Sequence, residues 1–135
     1  MAIEEEKIRM LIVEDDEFIR KLVIHYFEEG PYEFSEAEDG QEGLKAVLSQ
    51  RPDVLITDLM MPRLDGAALI RTLRQMKDFA TMPIVAITAG TEETKTQARL
   101  AGANVVLSKP LREVEVVQVV ENLLRFTPFL RTQRK

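Results

Sequence analysis

Three consecutive acids, Glu14, Asp15 and Asp16, follow an apolar run that begins at Ile8, and a fourth, Asp58, follows the run Val54 to Thr57. Two other polar residues stand in equivalent places. Thr88 ends the run Ile84 to Thr88, and Lys109 follows the shorter run Val105 to Ser108. Singly, each has an ordinary explanation: an acid after a strand is most often a solvated loop residue or a helix N-cap, and a lone lysine is usually a surface charge. As a set they carry chemistry. Carboxylates gathered in one place repel one another and are tolerable mainly around a cation. Oxygen ligands select a hard ion, and Mg²⁺ is usually held by one or two carboxylates plus waters and phosphate oxygens. An aspartate can also attack phosphorus to form an acyl phosphate. That reaction needs charge neutralisation and positioning more than a general base. Lys109 offers a second positive charge, and Thr88 a donor to a phosphoryl oxygen.

For these residues to meet, the apolar runs must lie side by side. Unbroken Val/Ile/Leu segments are the mark of strands buried on both faces. Ile8 to Val13, Val54 to Thr57 and Ile84 to Thr88 read this way, with Val105 to Ser108 a weaker case. Tyr32 to Ala37 alternates instead, which suits an edge strand. Helical spacing lies between the runs: Ile19, Leu22, Val23 and Tyr26; then Leu44, Val47 and Leu48; then Gly66, Leu69, Ile70 and Leu73, with Asp65 as N-cap. Thr91 to Ala101 predicts a fourth helix with a thin stripe of Ala98, Leu100 and Ala101, and so a loose anchorage. Val114, Val116, Val117, Val119 and Val120 would suit a strand by propensity alone. The spacing of Val116, Val119, Val120 and Leu123 nevertheless predicts a helix, with more apolar surface than one core-facing stripe requires. Strands alternating with helices imply right-handed crossovers and a parallel sheet covered on both faces. In such α/β sheets ligands bind beyond the carboxyl ends of the strands, where all the singled-out residues fall.

At 135 residues the chain fits a single domain, and its composition, 45% hydrophobic and 30% charged, is that of a globular protein. The net charge of −5 argues against non-specific nucleic-acid binding, although the tail Arg131 to Lys135 is basic. No apolar run approaches the ~20 residues that span a bilayer. The acidic start, Met1 to Glu6, is unlike a signal peptide, and cysteine is absent, so the expected location is the cytoplasm. The expected organisation is an N-terminal extension over 1–7, one domain over 8–126, and a tail or the start of a linker over 127–135.

Five segments carry a resemblance to a known family: Leu11 to Asp16, Glu36 to Gly40, Asp58 to Gly66, Ala86 to Ala89, and Ser108-Lys109-Pro110. In this order and spacing they resemble the receiver domain of two-component response regulators, of the chemotaxis single-domain type, from about Ile8 to Phe126. The resemblance implies a flavodoxin-like, doubly wound α/β fold with a five-stranded parallel sheet in the order 2-1-3-4-5 and five helices. It implies that Asp58 is the phosphoacceptor and that Mg²⁺ is held by Asp15, Asp58 and the Met60 backbone carbonyl, with Glu14 acting through water. Thr88 and Lys109 would bind the phosphoryl group, and the Lys109–Pro110 bond would be cis. The donor would be a histidine kinase or a histidine phosphotransfer protein. The chain itself would catalyse only its own phosphotransfer and slow hydrolysis. Output would pass to a downstream protein or a second copy through the fourth helix, fifth strand and fifth helix, without direct nucleic-acid or membrane contact. Too little follows Phe126 for an output domain, so the expectation is either a single-domain regulator or a receiver from a longer chain.

The sequence departs from the family pattern at Val106, where an aromatic or His switch residue is usual, and more mildly at Leu111. Activation is therefore expected to run through the Thr88 loop and the helix after it. Two other classes compete. A magnesium phosphohydrolase with an aspartyl-phosphate intermediate would typically place a second acid two residues after its nucleophile, where Met60 stands. A docking module that is never phosphorylated is the other, and the full set of acids, Thr88 and Lys109 argues against it. His25, the only histidine, reads as an ordinary helix residue.

Overall fold

The computed structural model describes residues 6–61 and 63–126. Its elements are β1 (Ile8–Val13), α1 (Glu17–Phe27), β2 (Tyr32–Ala37), α2 (Gly40–Gln50), β3 (Val54–Asp58), α3 (Gly66–Arg74), β4 (Ile84–Thr88), α4 (Glu92–Ala101), β5 (Val105–Ser108) and α5 (Glu113–Arg125), with a short 3₁₀ turn at Lys77–Phe79. All strand pairs are parallel, in the order β2-β1-β3-β4-β5. The fold class and strand order are those expected. Strand β3 runs one residue further than the apolar pattern indicated, so that Asp58 lies within the sheet register, paired with Ile87.

The strands are sorted by alternation. Leu11, Val13, Leu55 and Ala86 face α2, α3 and α4, meeting Val47, Leu69, Ile70, Leu73, Ala98 and Ala101. Met10, Ile12, Ile56, Val85 and Ile87 face α1 and α5, meeting Val23, Phe27, Val116 and Val120. Side chains of successive strand residues point to opposite faces, so a strand covered on both sides must be apolar throughout. Each fully buried aliphatic side chain contributes about 1.5–3 kcal/mol relative to exposure. That explains α5, in which Val116 and Val120 are completely buried. Their burial outweighs a helix-propensity deficit of a few tenths of a kcal/mol per valine.

Two expectations about apolar surface need correction. Leu100 is 77% exposed, so the α4 stripe consists of Ala98 and Ala101 alone. Leucine two positions after Ala98 is turned about 200° around a helix of 3.6 residues per turn. On α5, the spare surface is narrower than the valine count suggested. Val117, Val119, Leu123 and Leu124 are half-buried against the sheet and α1, leaving Val114 and the following Phe126 exposed. The expectations for residues 1–5 and 127–135 lie outside the described residues.

The loops at the carboxyl edge hold one another. Asp39 caps α2 by accepting from Glu42 N–H at 2.9 Å, and its other oxygen accepts from Arg63 Nε at 2.8 Å. Asp39 is buried, and the Glu42 amide together with the Arg63 guanidinium holds its carboxyl below the usual carboxylate range. Arg63 adopts a left-handed φ of 65°, a conformation that non-glycine residues seldom take without surrounding support. Gly40 lies so close to the Leu64 carbonyl that a Cβ there would collide with backbone. Gly40→Ala, favourable by helix propensity alone, is therefore expected to destabilise the chain by about 1–3 kcal/mol. Urea unfolding checks this.

Candidate functional site

The site begins where β1 ends. Glu14 N–H continues the ladder by donating to Ala37 O at 3.0 Å, which directs the Glu14 side chain inward; it is 3% exposed. Asp15 is exposed at the mouth. Asp16 leaves the acid group to become the N-cap of α1, accepting from Ile19 N–H at 3.1 Å, while its own N–H donates to Glu14 Oε2 at 3.1 Å. Asp58, at the end of β3, is also 3% exposed. Lys109, just past β5, is tied to β4 through its N–H, which donates to Thr88 O at 2.9 Å. Its ammonium lies 3.2 Å from Glu14 Oε1 and 3.5 Å from Asp58 Oδ2.

The carboxylate oxygens of Glu14, Asp15 and Asp58 come within 4.8 Å of one another. One ammonium does not neutralise three acids. Burial pushes the Glu14 carboxyl up to about 7, and the neighbouring Asp58 charge and Asp15 add to this against the Asp16 amide and Lys109. Burial pulls the Lys109 ammonium down, but Asp58 and Glu14 together outweigh it and raise its pKa. A group of oxygen donors short of positive charge, with one member driven toward protonation, fits a hard divalent cation.

The remaining expected residues lie around this group. Met60 is 65% exposed, and its N–H approaches Asp58 Oδ1 at a long 3.5 Å. Thr88 is fully buried, and its hydroxyl accepts from Gly90 N–H at 2.8 Å. Val106 pairs in register with Ala86 and packs, half-buried, on the face of α3 and α4. The Lys109–Pro110 peptide is cis. His25 is exposed on α1, with Nδ1 3.6 Å from Glu28.

Sequence reading missed three features here. Arg20 lies beneath the β1–α1 loop with its Nη1 on Glu14 O at 2.7 Å. Arg63 ties the loop after Asp58 to Asp39, as described above. Phe18, 73% exposed, lines an apolar cleft of about 470 Å³ with Ile19, Leu22, Lys109, Pro110 and Leu111. Phe18 did carry a signal, being a large aromatic off the helical stripe. The arginines carried none, because a guanidinium's partner depends on its reach in the fold.

The model of the response regulator receiver domain matches residues 10–121. Among curated relatives, the chain is 37% identical over 121 residues to response regulator MprA of Mycolicibacterium vanbaalenii, covering 89% of this chain and 52% of that one. It is 38% identical to MprA of Mycobacterium ulcerans, covering 89% and 51%. The chain thus spans about half the length of the curated relatives it matches. Among solved structures, a putative response regulator from Chloroflexus aurantiacus is 33% identical with a TM-score of 0.84, covering 88% of this chain and 98% of that one. The chemotaxis response regulator CheY4 of Vibrio cholerae is 28% identical with a TM-score of 0.82, covering 87% and 99%.

The raised Glu14 carboxyl has a consequence for stability. Without a divalent cation the folded chain holds a proton that the unfolded chain releases near pH 4.5. Stability therefore falls as pH rises from about 4.5 to about 7. Glu14→Gln is expected to flatten that slope and to raise the melting temperature of the metal-free chain at pH 7.5. Melting curves across this pH range check both effects.

Proposed function

This chain belongs to the response regulator receiver family, and from that premise we propose that Asp58 accepts a phosphoryl group in a Mg²⁺-dependent reaction. It is a receiver domain, a signalling module of two-component systems. The observation that carries the finer reading is the Lys109 ammonium spanning buried Glu14 and buried Asp58, with Asp15 at the mouth.

Asp15, Asp58 and the Met60 carbonyl would hold Mg²⁺, with Glu14 acting through water, and the ion supplies charge neutralisation during transfer. The chain's own residues do the rest. An Asp58 carboxylate oxygen forms a bond to phosphorus as the bond from phosphorus to the donor's imidazole nitrogen breaks, and the imidazole departs with that electron pair. Lys109 balances charge on the transferred group. Thr88 gives up the Gly90 amide and donates its hydroxyl to a phosphoryl oxygen. Gly90 leaves room for that turn, since a Cβ there would stand 3.0 Å from Thr88 Oγ1. Because Val106 has no ring to rotate, the change passes mainly through the Thr88–Thr91 loop to α4. The α4–β5–α5 face, with Leu100 and Val114 each 77% exposed, passes it on by protein contact.

The donor is a histidine kinase or a histidine phosphotransfer protein, and it must bring its imidazole to Asp58. The Phe18 cleft shares Lys109 with the acid pocket, so a donor helix seated there reaches the nucleophile. A phosphohydrolase reading gains nothing, because exposed Met60 occupies the place of its second acid.

Incubation with Mg²⁺ and acetyl phosphate is expected to add one phosphoryl group by intact mass, absent without Mg²⁺ and absent in Asp58→Asn. An adduct that persists in Asp58→Asn would refute the assignment. Phe18→Ala is expected to slow phosphotransfer from a protein donor at least tenfold while leaving labelling by acetyl phosphate unchanged. Equal slowing of both would place Phe18 in the fold rather than in donor contact.

A further inference from the structure

Among the described residues, Arg20 is the buried cation that chemistry at Asp58 does not use, and it is only 5% exposed. A buried guanidinium is costly unless its donors are matched. Here they are. Nε donates to Glu36 Oε1 at 2.8 Å and Nη1 to the Glu14 carbonyl at 2.7 Å, while Nη2 stands 3.8 Å from Glu17 and 3.9 Å from Glu38. Glu36 also binds Lys21 Nζ at 2.9 Å. The hydrogen bonds from Arg20 and Lys21 overcome the effect of burial and hold the Glu36 carboxyl below its usual range. Arg20 is thus a rigid fork with one tine anchored on strand β2 and the other on the residue that leads into the acid pocket.

We propose that Arg20 is a positioning residue for the Glu14–Asp15 pair, fixing the peptide between them and so setting the affinity of the acid cluster for Mg²⁺. This rests on reading that cluster as a Mg²⁺ site. The Glu14 carbonyl and the Asp15 amide share one planar unit. Holding the direction of that carbonyl leaves the plane only rotation about the C=O axis, and the Cα–Cβ directions of both acids follow from the plane and the dihedrals on either side of it. Asp15, exposed at the mouth, has the most freedom to lose. Groups that orient metal ligands without touching the metal typically account for 10–100-fold in affinity.

Positioning and simple charge have opposite signs here, which makes the inference testable. Arg20 is a cation beside a cation site. If it acted only through its charge, its removal would strengthen Mg²⁺ binding. If it positions the acids, removal weakens binding, and a lysine that keeps the charge but lacks the fork weakens it as well.

The experiment is calorimetric titration of the full chain with MgCl₂, with far-UV circular dichroism and melting curves recorded without the metal. Arg20→Lys and Arg20→Gln are both expected to bind Mg²⁺ roughly 10–100-fold more weakly than wild type. Glu36→Gln, which removes the charged anchor of the fork together with the partner of exposed Lys21, is expected to bind several-fold more weakly and keeps the inference testable if an Arg20 variant fails to fold. Wild-type affinity in Arg20→Lys, or tighter binding in Arg20→Gln, overturns the proposal. So does a loss of affinity that merely tracks a loss of metal-free melting temperature. A wild-type chain that takes up no Mg²⁺ overturns the metal reading and this inference with it, a result distinct from variants that bind as wild type does.

Discussion

The structure turns on a shortage of positive charge in a dry place. Glu14 and Asp58, each 3% exposed, face a single ammonium, with Asp15 close enough to add its own charge. Left alone, such a group relieves itself by binding protons, and the raised Glu14 carboxyl is that relief. A divalent cation would offer another, and under the proposed phosphorylation Lys109 and the cation would share the added negative charge. The repulsion is a cost the fold sustains for the sake of the site, and it needs a scaffold able to hold three acids still.

The parallel sheet is that scaffold. With β1, β3, β4 and β5 side by side, the residues at or just past their carboxyl ends are brought together without any loop having to fold inward. Because helices cover both faces, no strand can give way without exposing apolar area from two clusters. The loops are stiffened in turn by charged groups behind the pocket. Arg63 on Asp39 restrains the chain after Asp58, and Arg20 on Glu14 and Glu36 restrains the chain after β1.

This division explains what could be read from the sequence. Strand runs, helical spacing and the residue following each strand are local, one-dimensional signals, so the fold class, the strand order carried by the family resemblance, and the Glu14, Asp15, Asp58 and Lys109 cluster were legible. Asp16 was ambiguous because an acid at that place serves equally as ligand or cap, and only its hydrogen bond to Ile19 N–H distinguishes them. Leu100 misled because an apolar residue in a weak helix was counted without its angle around the axis. The arginines could not be read at all. Arg20 binds a side chain 16 positions away and Arg63 one 24 away, and no periodicity links such partners.

Under the proposed phosphorylation, with no ring at Val106 to rotate, sensing of the phosphoryl group would fall to Thr88 and α4. Thr88 Oγ1 accepts from the Gly90 amide, and its own O–H is a separate donor that a phosphoryl oxygen would take in a charge-assisted bond, which is the stronger kind. Moving the hydroxyl toward that oxygen would release the Gly90 amide, two residues before α4. That helix is held by two buried alanines, each with far less area to lose than a leucine, while Leu100 contributes nothing to its anchorage. Displacing α4 would therefore be inexpensive in buried surface, and Val106, packed on the same cluster as Ala98 and Ala101, would under the proposed switching follow the helix rather than drive it.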